Sequence, residues 1–526
     1  MLFQPAERAF VLALGKFQFS NPMLSDRMAE LRALLEIDLG LNEQAAQRPP
    51  ILNPQRPELD VAVRRMEALL ARLQNRLRQA TEDPTVEELR WYGDIMTGAL
   101  YFRFFCDSQV VDQAGDGTRR VKAFREFAQQ CRLWNQVPVT LEPFFMDAAH
   151  IFAVASQLRR AFVLISTIIL GNSQPIKKLR AAIWNSIFPH ELRLYGTLLF
   201  QRMHDVTTLI LGPSGTGKEL VATAIGLSRY IPFDAQRQTF AEPLAGGIHP
   251  INLSAMPREL IESEMFGHCA GAFTGALRER KGWFEQCRFG HTVFLDEIGE
   301  LDETVQVKLL RLLQSREFFR VGETDPRQFQ GKIIAATNRD LAQEIRQGKF
   351  REDLFYRLCS DIIRTPSLRS QLDDAPDDLP HLVRWVATRC LGEQAQPNHV
   401  DWLSDLSIRW INHSGHLGPT YAWPGNFREL EQCVRNIMVR GEYHPPLSFA
   451  SPLASPPVAP SHTALETFLS QVRSGSLNYD ELLNFYCSFI FSLSPHLTAA
   501  ASRLGKHRST VKQHIVPEYV ERLKSK

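Results

Sequence analysis

Between Pro57 and Pro84 the apolar residues Leu59, Val63, Met66, Leu70, Leu73, Leu77 and Ala80 recur in alternating steps of four and three. That spacing puts them on one face of a helix. A heptad stripe of this length suits two fates, packing on the chain's own domain or self-association as a short coiled coil. Helical periodicity continues over Val86 to Phe105, Val121 to Trp134 and Leu141 to Ala161. Residues 1–168 therefore read as a mostly helical module.

From about Ile169 the texture changes. Short β-branched and apolar runs at Thr207 to Leu211, His291 to Leu295 and Lys332 to Ala336 alternate with helical patterns, the rhythm of a parallel α/β sheet. The pattern is helical again from Leu354 to about Arg440. The stretch HPPLSFASPLASPPVAPSH, His444 to His462, is too rich in Pro, Ser and Ala to bury much and reads as a semi-extended linker. About 60 residues of short helices with a basic end follow it. No internal repeat is visible. The expected fold class is multidomain α and α/β.

The first chemistry lies directly after the Thr207 to Leu211 run. Gly212, Pro213, Ser214, Gly215, Thr216, Gly217 and Lys218 read GPSGTGK and lead into the helical ELVATAIGLSRY. Strand before and helix after are the context of a P-loop, in which glycines turn backbone N–H groups onto phosphate oxygens at a helix N-terminus. Glu219 stands where a Ser or Thr commonly helps hold Mg2+. A second set of ligands closes the strand TVFLDE, where Asp296 can bind Mg2+ through water and Glu297 can polarise an attacking water. The later strand ends in AATN, placing Asn338 where an amide could sense a γ-phosphate.

Composition narrows the classes without choosing among them. The 526 residues suit three or four domains. A net charge of +2 gives no global nucleic-acid surface, so such a surface must be local. Eight scattered cysteines form no CxxC pair and no Cys/His cluster, which argues against a disulfide scaffold or structural metal and for a cytoplasmic setting. No secretory signal is evident, and the longest apolar stretch, Ala161 to Leu170, is about half of the roughly 20 residues a spanning helix needs. No membrane association is expected.

Generic nucleotide-site arguments do not account for Gly271, Ala272, Phe273, Thr274, Gly275 and Ala276, which read GAFTGA. Followed by GWFEQC and LDEIGEL, the hexapeptide closely resembles the sigma-54-contacting loop of bacterial enhancer-binding proteins, a branch of the AAA+ ATPases. The resemblance covers about Ile169 to Arg440, with a weaker extension at the C-terminal end. Phe273 and Thr274 lie between glycines that permit close approach and large backbone excursions.

The resemblance implies an ATP- and Mg2+-dependent motor whose loop contacts the sigma-54 RNA polymerase holoenzyme. The family's GESGTGKE is similar to Gly212 to Glu219, so Glu219 is normal for the branch and Pro213 is the departure. Asn252 in INLSAMP matches the Asn that restrains the catalytic Glu. Arg351 and Arg357 in FREDLFYRL match arginines that reach the neighbouring subunit's γ-phosphate, so the resemblance implies a homo-oligomeric ring, a hexamer. Arg428 in WPGNFREL matches the sensor arginine of a helical lid. Two further departures are His291, where a glycine is common, and the extra length of Ile187 to Arg202 before the first strand.

At the C-terminal end, LTAAASRLGKHRSTVKQHI has the form helix, glycine turn, helix, with Ala501 and Leu504 inward and Arg508 to Ile515 as the recognition helix. Residues 496–526 carry seven Lys/Arg against two Asp/Glu, a local footprint for DNA phosphate. Ala500 to Gly505 is similar to the core of the Fis-like helix-turn-helix ends of the same activators, which implies binding to enhancer DNA. Ser509, Thr510, Lys512, Gln513 and His514 are candidates for the major groove, with Arg508 on phosphate.

The expected organisation is a regulatory module at 1–168, an AAA+ α/β subdomain at 169–360, its helical lid at 361–441, a linker at 442–463 and a Fis-like helix-turn-helix at 464–526. The regulatory module lacks the acidic pocket of a phosphate receiver and a Cys/His cluster, and its ligand or protein partner is not legible. Two other classes compete with a sigma-54 activator. A general AAA+ remodeller lacks GAFTGA and a DNA-binding end, and a DNA-binding repressor with a vestigial ATPase does not need Lys218, Asp296, Glu297, Arg351 and Arg357 intact.

Overall fold

A computed structural model describes residues 2–24, 27–40, 57–105, 117, 119–137, 147–273, 276–392, 394–414, 417, 421–445, 478–494, 496–516 and 520. In the N-terminal part these form helices α1 (Pro5–Phe19), α2 (Arg27–Leu35), α3 (Pro57–Gln79), α4 (Val86–Phe105), α5 (Ala123–Asn135) and α6 (Ala148–Ile168). The heptad stripe of α3 turns inward. Val63, Met66, Leu70, Leu73 and Leu77 are all buried in one core with α1, α4 and α5, so burial within the chain satisfies the pattern and leaves no seam for a coiled coil.

Helix α6 is a continuous 21-residue element, twice the apolar stretch visible in the sequence, and among the described residues it alone is long and apolar enough to cross a membrane. Its apolar surface is divided between two protein cores. Phe152, Ala153 and Ala155 join the N-terminal core, whereas Ala161 and Ile165 pack with the sheet that follows. The N-terminal core also takes in Ile231, Phe233, Phe240 and Leu244 from beyond the P-loop. Met1–His444 accordingly forms a single compact unit.

After α7 (Gln174–Ile187) and the short α8 (Leu192–Thr197), the chain enters a five-stranded parallel sheet. Its strands are β1 (Thr208–Leu211), β2 (Ile248–Asn252), β5 (Thr292–Asp296), β6 (Lys332–Thr337) and β7 (Asp361–Arg364), in the order β7-β1-β6-β5-β2. A two-stranded hairpin, β3 (Gly267–His268) with β4 (Arg280–Lys281), is inserted after α10 (Arg258–Phe266). Strand β6 is buried at all six positions, as a parallel strand covered on both faces must be. Register sets Asp296 opposite Ala336 on one side and Asn252 on the other, so two polar strand ends, Asp296 and Asn252, meet at the sheet's C-terminal edge. Strands β2 and β7 carry no pattern that singled them out in the sequence.

Helix α9 (Lys218–Leu227) follows β1, and α11 (Glu303–Ser315) and α12 (Glu352–Leu358) flank the sheet. A helical lid of α13 (Leu368–Asp374), α14 (Asp378–Leu391), α15 (Pro397–His413) and α16 (Asn426–Arg440) has its own apolar core. The second unit, Pro445–Lys526, holds α17 (Tyr479–Ser492), α18 (Leu497–Leu504) and α19 (Arg508–Gln513).

Candidate functional site

Between β1 and α9 the chain must reverse tightly, and Gly215 (φ 76°) and Gly217 (φ 87°) supply the left-handed conformations that allow it. The Lys218 ammonium is buried and donates to the carbonyls of Gly212 (3.1 Å) and Pro213 (3.2 Å). Burial lowers its pKa, against the pull of Glu297 and Asp296. The Thr216 hydroxyl donates to Pro213 O at 2.8 Å and meets the Thr365 hydroxyl at 2.6 Å. It ties the loop to the residue that follows β7.

The lid sits directly on this loop. Gly215 O accepts from the Phe427 N–H at 3.0 Å, and Ser214 O accepts from the Asn426 amide at 2.9 Å. Arg428 donates to the Ser214 hydroxyl at 3.1 Å. Asn426 is buried in a left-handed conformation (φ 51°), and its carbonyl oxygen also accepts from the Leu368 N–H at 2.9 Å. One side chain thus joins P-loop, α13 and α16. A Cβ on Gly215 would lie 2.3 Å from Gly425 O. Gly215→Ala is expected to cost at least about 1–2 kcal/mol from the left-handed backbone alone, read as a lowered Tm with the lid displaced from the loop.

At the end of β5, Asp296 and Glu297 stand side by side. Burial, then the neighbouring Glu297 charge, raises the Asp296 pKa. Glu297 holds a left-handed backbone (φ 56°) without being glycine, a conformation that persists only when its surroundings impose it. Its carboxylate accepts from the Thr337 hydroxyl and the Asn338 N–H, each at 3.3 Å. Adjacent carboxylates, with Asp296 raised first by burial and then by its neighbour's charge, suit a divalent cation, which would offset that charge.

These groups line a cavity of about 220 Å³ together with Glu219 and Arg428. Its far wall is apolar, formed by Ile169, Leu170 and Leu179 on one side and Leu382 and Val386 on the other, a slot suited to a planar base. Asp378 at the start of α14 holds that wall, accepting from the Asn172 N–H at 2.6 Å and the Ser173 N–H at 3.2 Å. Sequence reasoning missed the slot and Asn426. The only local hint was an Asn after Gly in WPGNFREL, since Asn tolerates left-handed backbone.

Other candidates stand apart. Asn252 caps its own turn, its carbonyl accepting from the Ser254 N–H (3.0 Å) and hydroxyl (2.7 Å). Among the described residues it makes no hydrogen bond to Glu297, so the expected restraint of that Glu is not formed here. The Asn338 side chain is exposed. Arg351 pairs with Asp353 at 2.7 Å, and Arg357 is exposed with no side-chain partner among the described residues. Neither lines its own chain's cavity.

The hairpin that carries Gly271 to Ala276 is anchored at its root. Gly267 O accepts from the Val321 N–H at 2.9 Å, and Cys269 donates back to Val321 O at 3.1 Å. Buried Arg320 grips Glu285 through two bonds of 2.8 Å and Glu279 at 3.1 Å. Toward the tip, Gly271 donates to Ala276 O at 2.8 Å. Phe273 is 41% exposed with its ring edge on His268, and Leu277 is 92% exposed. Thr274 and Gly275 lie outside the described residues.

In the second unit Gly505 (φ 63°) ends α18, Ala500, Ala501 and Val511 are buried, and Leu504 is half-buried. Arg508, Ser509, Thr510, Lys512 and Gln513 are exposed. His514 lies past the end of α19 and is turned instead against α17, bonding Asn484 Oδ1 at 2.8 Å.

The family described as the sigma-54 interaction domain matches residues 196–364. The NtrC transcriptional regulator of Azospirillum brasilense is 37% identical over 363 residues, which cover 64% of this chain and 68% of that protein. The Nif-specific regulatory protein of Enterobacter agglomerans is 45% identical over 235 residues, 45% of this chain but 40% of the relative. The chain thus spans about two fifths of some relatives and two thirds of others. NtrX of Brucella abortus in complex with ATP aligns over 71% of this chain and 75% of its own at 23% identity, with a TM-score of 0.39.

Proposed function

The chain belongs to the sigma-54-dependent transcriptional activators, and from that premise we propose that it hydrolyses ATP in a ring of identical subunits to open promoters held by sigma-54 RNA polymerase. The observation that carries this is the convergence of Lys218, Asp296, Glu297 and Arg428 on one cavity in a chain whose inserted hairpin reads GAFTGA.

Lys218 neutralises charge on the β- and γ-phosphates, and the N–H groups of Gly215 to Glu219 cradle them at the N-terminus of α9. Glu297 orients a water for in-line attack on the γ-phosphorus; the β–γ bond breaks and ADP leaves with its electrons. Asp296 would hold Mg2+, which supplies charge neutralisation between the phosphates. Arg428 reaches the cavity from the lid, so loss of the γ-phosphate changes what holds lid to P-loop. Arg351 and Arg357 act on the neighbouring subunit's nucleotide, a role supported by their absence from their own chain's cavity.

In this scheme residues 1–168 regulate, 169–360 and 361–441 form the motor, 442–463 link, and 464–526 bind enhancer DNA. The division between His444 and Pro445 falls within this linker. Arg508, Ser509, Thr510, Lys512 and Gln513 face DNA in this reading, with His514 bracing the recognition helix.

A reconstituted assay with sigma-54 holoenzyme, ATP and a closed promoter tests the function directly. Open complexes should form only with hydrolysable nucleotide; opening with a holoenzyme carrying another sigma factor overturns the proposal. Phe273→Ala should leave ATP turnover intact while removing promoter opening, because the exposed ring belongs to the tip and makes no contact with the nucleotide cavity. Parallel loss of turnover and opening would place Phe273 in the motor itself.

A further inference from the structure

A cavity of about 640 Å³ lies in the N-terminal helices against α6, α7 and α8 and shares no lining residue with the P-loop cavity. Its size falls within the usual range of small-molecule sites. Aromatic and aliphatic side chains dominate it, among them Phe19, Phe102, Val154, Leu158, Phe162 and Trp184. Two polar groups on its border lack partners. The Gln18 amide is buried at both Nε2 and Oε1 with no hydrogen bond, and Arg159 is half-buried with Nε likewise unsatisfied. Arg193 on the same wall is already matched, pairing with Asp94 at 3.0 Å. A buried donor left unmade costs free energy unless something fills it.

We propose that this cavity binds an apolar carboxylate, an aromatic or alicyclic acid whose ring fills the hydrophobic space and whose carboxylate takes the Arg159 guanidinium and the Gln18 amide. An anion suits the site because Arg159 has no acidic partner among the described residues.

The cavity is wired to the motor through α6. One face of that helix, with Val154, Leu158 and Phe162, lines the cavity. Its other side grips the far end of the P-loop helix α9. Gln157 donates to Ser228 O at 2.8 Å, and Arg160 donates to Leu227 O at 3.2 Å and to Arg229 O. His150 bonds Gly196 O through Nε2 at 2.8 Å and the Tyr230 hydroxyl through Nδ1 at 2.7 Å. A carbonyl only accepts, so Nε2 carries the proton and Nδ1 accepts from Tyr230. Gly196 lies in the extra segment Ile187 to Arg202, which thereby forms cavity wall and connection at once. A ligand that shifts α6 moves the helix that bears Lys218.

Two dyes of similar shape test the site on the full chain: anionic 1-anilinonaphthalene-8-sulfonate and uncharged N-phenyl-1-naphthylamine. Saturable binding of one anionic dye per chain is expected, weakened roughly tenfold or more by Val154→Trp, which fills the space. Arg159→Leu should weaken the anionic dye by roughly tenfold while sparing the neutral one. Unsaturable binding, or affinity unchanged in both variants, overturns the proposal. If Val154→Trp fails to fold by circular dichroism, the Arg159→Leu dye pair decides alone. The coupling to the motor rests on the ATPase reading, and ATP turnover should change as the dye saturates. Saturable binding without turnover in any condition would sink that reading and leave the site standing.

Discussion

Lys218→Ala is expected to abolish ATP turnover while leaving the chain folded. The ammonium lines the P-loop cavity and is held there by the carbonyls of Gly212 and Pro213. Removing a single preorganised charge-stabilising donor of this kind costs about 10²–10³ in rate, and in the proposed mechanism Lys218 would serve two phosphates. Burial already lowers its pKa, so the folded chain gives up a desolvated charge and keeps the cavity. Turnover should therefore drop below detection with the melting temperature near that of the parent. Residual turnover above a hundredth of the parent's would mean that another cation carries the phosphate charge.

Arg357→Ala should have an effect of the same order for a different reason. A cation delivered to a transferring phosphoryl group is worth roughly 10³–10⁵ in rate. Arg357 is exposed, unpaired among the described residues and not part of its own cavity's lining, so in the proposed scheme it acts on nucleotide held by another subunit. Mixing decides the geometry. Lys218→Ala subunits have intact arginines and Arg357→Ala subunits have intact P-loops, so a mixed ring contains some complete sites. Equimolar mixing should restore measurable turnover. Two inactive variants that stay inactive together would place Arg357 within its own subunit's chemistry.

The P-loop, the Asp296–Glu297 pair and the GAFTGA hairpin were legible because each is a contiguous run whose chemistry depends on neighbours in the chain. Glycines at 215 and 217 permit the left-handed turn that the loop requires. The acidic pair after TVFLD announces a strand end. The left-handed backbone of Glu297 was not legible, because Glu has no preference for it and only the surrounding sheet imposes it. Asn252 shows the opposite limit. Family resemblance assigned it to Glu297, whereas in this conformation its carbonyl is taken by the turn it caps, a bond available three atoms from its own backbone.

What the sequence determined by itself is the set of local instructions: a nucleotide loop, a strand ending in carboxylates, a glycine-bounded tip, a basic helical end and helices with apolar faces. Tertiary structure alone decided where those faces go. The α3 stripe could be buried by a partner as readily as by α1, α4 and α5, since the hydrophobic effect rewards area removed from water whichever chain removes it. The base slot joins Ile169 and Leu170 to Leu382 and Val386, and the second cavity joins Gln18 to Arg159. Contacts between residues so far apart in the chain leave no period in the sequence; they exist only once the helices are packed.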